Sequence, residues 1–133
     1  MNPIGMGKGP SRRLRRIVSE AQAFMGDNLD RELSLTDIAR SASLSPYYFT
    51  RLFTQVVGMP PYRYLLHLRV ARAKQLLGDS ELNVSQISRR VGFRTPNHFS
   101  MTFRRLAGMS PTRYRRLVDW ERMHLDSMRR STQ

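Results

Sequence analysis

No cysteine occurs in the 133 residues, which excludes disulfide staples, thiolate zinc sites and cysteine nucleophiles. No apolar run is longer than three residues, as at Tyr47-Tyr48-Phe49. A membrane-spanning helix needs about 18, and no continuous apolar stretch marks a secretory signal. A soluble intracellular chain with no membrane partner is therefore expected. Histidine is scarce, and His67, His98 and His124 stand far apart with no spaced carboxylate pair, which argues against a metal centre. No nucleophile–base pair or phosphate cradle is visible, so the expectation is a non-enzyme without cofactors. Acids are few: ten, against 23 Lys+Arg, for a net charge of +13. Hydrophobic residues still make up 40%, enough for a real core. Such a basic domain points to a polyanion as its first partner.

The distribution of charge says more than its total. Between Asp37 and Asp79 there is no acid, while Arg40, Arg51, Arg63, Arg69, Arg72 and Lys74 are basic. Between Glu81 and Asp119 there is again no acid, and Arg89, Arg90, Arg94, Arg104, Arg105, Arg113, Arg115 and Arg116 follow one another. Lysine occurs only at Lys8 and Lys74, so arginine dominates, and arginine suits bidentate contacts to phosphate and guanine.

Helix signals follow one another from end to end. Ser11 can cap a first helix whose Leu14, Ile17, Val18, Ala21, Phe24 and Met25 share one face. Arg12, Arg13, Arg15 and Arg16 crowd its first turns, where the helix dipole disfavours cations. A solvated basic face and a nearby polyanion both fit them. Ser34 with Asp37 forms a capping box for a helix to about Ala42. Ser45-Pro46 opens the next, which stops at Gly58, and Pro60-Pro61 opens a longer one to Leu77. Asn83 with Gln86, Thr95-Pro96 and Ser110-Pro111 repeat these starts, and Gly108 repeats the stop. Gly5, Gly7 and Gly9 follow no strand and precede no Gly-Lys-Ser/Thr, so they do not make a phosphate loop.

The chain also repeats itself. Ile38, Ala39, Ala42, Ser43 and Leu44 match Ile87, Ser88, Val91, Gly92 and Phe93 at one constant offset. One residue is then inserted. Phe49, Phe53, Gly58-Met59, Pro61 and Tyr64 match Phe99, Phe103, Gly108-Met109, Pro111 and Tyr114. Each copy is a short helix, a tight turn and a second helix: a helix-turn-helix, whose second helix enters the major groove. Ile38, Ala42, Leu44, Phe49, Leu52, Phe53 and Val56 should form the first core, and Ile87, Val91, Phe93, Phe99, Phe103 and Leu106 the second. Ala39 and Ser88 are small where two helices cross. The opposite faces present Tyr47, Tyr48, Thr50, Arg51, Thr54 and Gln55 in one copy. The other presents Asn97, His98, Ser100, Met101, Arg104 and Arg105. The helix from Pro61 to Leu77 spans roughly 25 Å. It could hold two reading helices about one DNA turn apart, roughly 34 Å; a stiff, shorter linker would bend the DNA.

The run from Leu35 to Arg116 resembles the DNA-binding domain of AraC/XylS-type bacterial transcription regulators. The resemblance is carried by Ser45-Pro46-Tyr47-Tyr48-Phe49, Arg51-Leu52-Phe53, Gly58-Met59-Pro60-Pro61 and Arg69-Val70-Ala71-Arg72-Ala73. Val91-Gly92-Phe93, Phe103-Arg104-Arg105 and Gly108-Met109-Ser110-Pro111 complete it. It implies an all-α, seven-helix, two-lobed domain that bends double-stranded DNA and activates transcription by touching RNA polymerase. It also implies a cytoplasmic protein of the bacterial nucleoid. Tyr47, Thr50 and Arg51 fall where the family reads bases with its first recognition helix; Pro96, Asn97, His98 and Met101 fall in the second. Many relatives have Arg where this chain has Met101, which can touch a thymine methyl but cannot pair with guanine. Arg94, at the turn, could compensate from the phosphate backbone.

The expected layout is a flexible lead over 1–10, a first helix-turn-helix lobe over 11–57, a linker helix over 58–78, a second lobe over 79–118 and a tail over 119–133. The tail is expected to pack as a helix. The expected DNA contacts are Tyr47, Tyr48, Thr50, Arg51 and Gln55 in the first lobe. In the second they are Arg94, Thr95, Pro96, Asn97, His98, Met101, Arg104 and Arg105. Two readers in one chain imply binding as a monomer. Too few residues precede the first motif for an effector domain, so a stand-alone member and a cut-out C-terminal domain both fit. The rival classes are a nonspecific nucleoid-type DNA packager and an interaction module lacking its effector domain.

Overall fold

Helices begin here where a short polar side chain takes over an unpaired N–H of the first turn. The computed structural model describes residues 9–131 and contains, among them, seven helices and no strand. They are α1 (Arg12–Asp27), α2 (Leu35–Ser41), α3 (Pro46–Val57), α4 (Pro61–Asp79), α5 (Val84–Arg90), α6 (Pro96–Ala107) and α7 (Pro111–Ser131). Ser11, Ser45, Thr95 and Ser110 accept from the N–H of Leu14, Tyr48, His98 and Arg113. Ser34 with Asp37, and Asn83 with Gln86, form reciprocal capping boxes. Gly58 (φ 93°) and Gly108 (φ 83°) end α3 and α6 in the left-handed conformation that releases the chain from a helix. Most of the expected lead, residues 1–8, lies outside the described residues; Pro10 is buried.

The chain divides into two compact units at Leu68/Arg69, inside α4. In the first, α1, α2 and α3 pack on one another. Val18, Ala21, Met25, Ile38, Ala39, Phe49, Leu52, Phe53 and Leu65 form the core, with Ala42, Leu44 and Val56 packed at its edge. Ala39 has no exposed surface, as a close helix crossing requires. Phe53 meets Phe49 at 5.5 Å and the edge of Tyr64 at 5.4 Å. Each such side chain contributes about 1.5–3 kcal/mol by leaving water.

The second unit is built alike. Val70, Ala73, Leu77, Ile87, Ser88, Val91, Phe93, Phe99, Thr102 and Phe103 are buried. Leu106 is half-buried. Phe103 meets Phe99 at 5.7 Å and the edge of Tyr114 at 5.6 Å. The Ser88 hydroxyl donates to the Thr95 carbonyl at 3.3 Å, tying α5 to the start of α6.

The duplication therefore reaches further back than the two-helix motif. Val18, Ala21, Met25 and Gly26-Asp27 of α1 correspond to Val70, Ala73, Leu77 and Gly78-Asp79 of α4, with the same core residues buried in each unit. The helix expected as a linker over 58–78 forms as α4, and its residues are shared between the two units. Leu65 belongs to the first core, while Val70, Ala73 and Leu77 are buried in the second unit.

Two arginines from α7 close the end of α4. Arg115 donates from Nε to the Leu77 carbonyl at 3.0 Å and from Nη2 to that of Ser80 at 3.3 Å. Arg122 donates to the Gly78 carbonyl at 2.8 Å and lies 3.6 Å from Asp79. Cations suit a helix C-terminus, where carbonyls are unpaired and the dipole is negative. Beyond that contact the expected packing of the tail fails. α7 runs unbroken to Ser131, but every residue from Asp119 to Arg130 is exposed, Trp120, Met123, Leu125 and Met128 included. These apolar side chains are too sparse, and too interleaved with charge, to hold a face against the unit.

Candidate nucleic-acid interface

The outward face of α3 is set by what its inward face must bury. Phe49, Leu52 and Phe53 are turned into the first core, so Tyr47, Arg51, Thr54 and Gln55 come out on the other side at helical spacing, all exposed. Tyr47 is 73% exposed, and the Arg51 guanidinium stands 5.7 Å from its ring centroid. That contact limits the wandering of a long, entropy-rich side chain before it meets a partner.

Two expected contacts of α3 stand differently. Tyr48 is half-buried and packs against the core. Thr50 is also half-buried, and its Oγ1 is buried without a hydrogen-bond partner. A lone buried hydroxyl is costly until something donates to it or accepts from it.

α6 repeats the arrangement one copy later. Phe99, Thr102 and Phe103 point in, while Pro96, Asn97, His98, Met101, Arg104 and Arg105 are exposed. Tyr47, Arg51, Thr54 and Gln55 thus match Asn97, Met101, Arg104 and Arg105 position by position. Met101, 65% exposed, sits where α3 carries Arg51. The His98 ring stands edge-on to Phe93 at 5.1 Å, which fixes its direction at the first turn. Thr95 is exposed, but its hydroxyl is spent on capping α6, so it has less to offer a base than expected. Arg94 is exposed and is the extra residue in the turn of the second copy.

Around these faces the field is positive. Arg40 ends α2, Arg89 and Arg90 end α5, and all three are exposed. Arg69, from the first acid-free basic stretch, is not part of this exposed charge. It is only 6% exposed, with its guanidinium 5.8 Å from the Phe93 centroid. Its burial was not legible from its place in a basic run. A signal did exist: it immediately precedes Val70, the counterpart of buried Val18. Among the described residues, no helix is long and apolar enough to cross a membrane.

A family model described as a helix-turn-helix domain matches residues 38–117. The chain is 36% identical over 91 residues to the probable transcriptional regulator LumQ of Photobacterium leiognathi, covering 68% of this chain and 37% of that protein. It is 30% identical over 113 residues to the transcriptional activator AarP of Providencia stuartii, covering 85% and 84% of the two. The chain thus spans little more than a third of LumQ but most of AarP. Among solved structures, the DNA-binding domain of AdpA in complex with a target DNA superposes with a TM-score of 0.76 at 31% identity, over 79% of this chain and 95% of that one. A regulator with an AraC-type DNA-binding domain from Chromobacterium violaceum superposes with a TM-score of 0.73 at 34% identity, over 79% and 94%. With the family model matched over more than half of the chain and relatives of this kind at 30% identity or more, the chain belongs to the AraC-type regulators.

Proposed function

We propose that this chain reads DNA sequence for a transcription regulator, with α3 and α6 in successive major grooves and no second copy required. The observation that carries the reading is the pair of matched, chemically different faces. Tyr47, Arg51, Thr54 and Gln55 offer an aromatic ring, a guanidinium fork and two hydrogen-bonding groups, whereas Asn97, Met101, Arg104 and Arg105 offer an amide, a thioether and two cations. Two unlike readers call for an asymmetric site, which one chain can occupy alone. A nonspecific packager has no use for two distinct faces. The similarity to AarP, a transcriptional activator, supports activation, with RNA polymerase as the protein partner.

Arg51 supplies a bidentate grip on guanine and α6 the looser, methyl-sensing contact through Met101. Thr50 contributes its unpartnered hydroxyl. Gel-shift titrations of Arg51→Ala and Met101→Ala on duplexes with single base changes test this. Arg51→Ala should erase discrimination at one block of the site, a loss of about 1–3 kcal/mol. Met101→Ala should cost less and act at the other block. Equal losses spread over both blocks would count against the assignment.

A further inference from the structure

We infer that Arg12, Arg13, Arg15 and Arg16 of α1 form a third DNA contact, one that grips the phosphate backbone without reading bases. The inference rests on the DNA-binding reading above and adds a surface outside the two helix-turn-helix pairs.

α1 buries Val18, Ala21 and Met25, with Leu14 packed beside them, and this turns the four arginines outward. All four are exposed, and among the described residues none of their guanidinium groups has a hydrogen bond or ion pair. The first turn of α1 holds no acid. Four cations therefore crowd the positive end of a helix dipole, and they repel it and one another. The duplication does not call for them either. Under the match of Val18 to Val70, their counterparts in α4 are Tyr64, Leu65, His67 and Leu68. Neither the core nor the repeat accounts for this charge, so a ligand that neutralises it is the remaining use. α1 packs directly on α2 and α3, so the arginines belong to the same unit as the first reading helix. Guanidinium forks match phosphate oxygens bidentately, and contacts to phosphate carry affinity and register without sequence information.

The test is the full chain carrying R12Q, R13Q, R15Q and R16Q, since glutamine keeps the helix propensity. Binding to a selected duplex and to a scrambled one is followed by fluorescence anisotropy from about 50 to 300 mM salt. The slope of log affinity against log salt should become shallower by about two to four. Affinity near 100 mM should fall at least about tenfold, while the ratio between selected and scrambled duplex stays unchanged. The melting temperature should hold or rise, because a repulsion has been removed. The double variant R12Q/R16Q should show about half the slope change and guards against a folding defect. Slopes and affinities equal to those of the parent chain would overturn the inference. So would loss of binding to phosphatidylserine vesicles with an unchanged DNA slope, which would assign the face to a membrane. If the parent chain fails to prefer the selected duplex, the sequence-reading proposal falls instead, and the slopes on scrambled DNA still decide this one.

Discussion

Arg69 lies with its guanidinium 5.8 Å from the centroid of Phe93, and Phe93 in turn meets the edge of His98 at 5.1 Å. A buried cation on α4 thus stands behind the first turn of α6, where one of the two reading faces begins. Arg69→Met keeps the length and the apolar stem but removes the charge held over the ring. It should cost about 1–2 kcal/mol, read from urea unfolding. Discrimination at the block read by α6 should fall more than at the other. Unchanged stability would mean that the contact contributes nothing.

Ser43 and Gly92 occupy the same place in the two turns, with φ of 58° and 95°. Only glycine adopts this region without strain. Ser43→Gly should therefore stabilise the protein by up to about 1 kcal/mol, and Gly92→Ala should destabilise it by about 1–2 kcal/mol. Thermal melts of the pair check the opposed signs, and the same sign for both would refute the account of the turns.

Asp37 is held below the ordinary carboxylate value by the Ser34 hydroxyl and then the Ser34 N–H, both at the start of α2. A carboxyl lowered on folding contributes stability above its ordinary value, and the contribution is lost as pH falls through the lowered one. Asp37→Asn should be less stable than the parent near neutrality, and the gap should close as pH falls through the lowered value. A gap that stays constant with pH would show that the charge is not what matters.

Trp120 and Met123 are 57% and 70% exposed on α7. Changing both to Ala should move stability by no more than about 0.5 kcal/mol. A larger loss would mean that the outer part of α7 packs after all.

Much of this fold is legible in the chain. The caps at Ser34, Ser45, Asn83 and Thr95 and the stops at Gly58 and Gly108 are local chemistry, and the starts of α2, α3, α5 and α6 and the ends of α3 and α6 follow from them, whereas α4 runs past the expected Leu77 to Asp79. Phe49, Phe53, Phe99 and Phe103 announce the cores because aromatic pairs recur at helical spacing. What escapes notice is tertiary. The match of Val18-x-x-Ala21 to Val70-x-x-Ala73 is short, and it is displaced by three residues from the main repeat because the connection after α4 is shorter than that after α1. Arg69 looks like one more surface cation until Phe93 is seen beneath it. In the site, the exposed faces of α3 and α6 follow from the periodicity. The commitment of Tyr48 to the core and of the Thr95 hydroxyl to a cap depends on where each side chain turns.

The central claim is that one chain reads an asymmetric site with two unlike helices. Selection of bound fragments from randomised duplex DNA at about 150 mM salt, with the parent chain and Arg51→Ala in parallel, tests it most directly. The account predicts two unlike blocks about one helical turn, roughly 34 Å, apart, with Arg51→Ala losing one block and keeping the other. A palindromic motif, or featureless recovery from the parent chain, would contradict it.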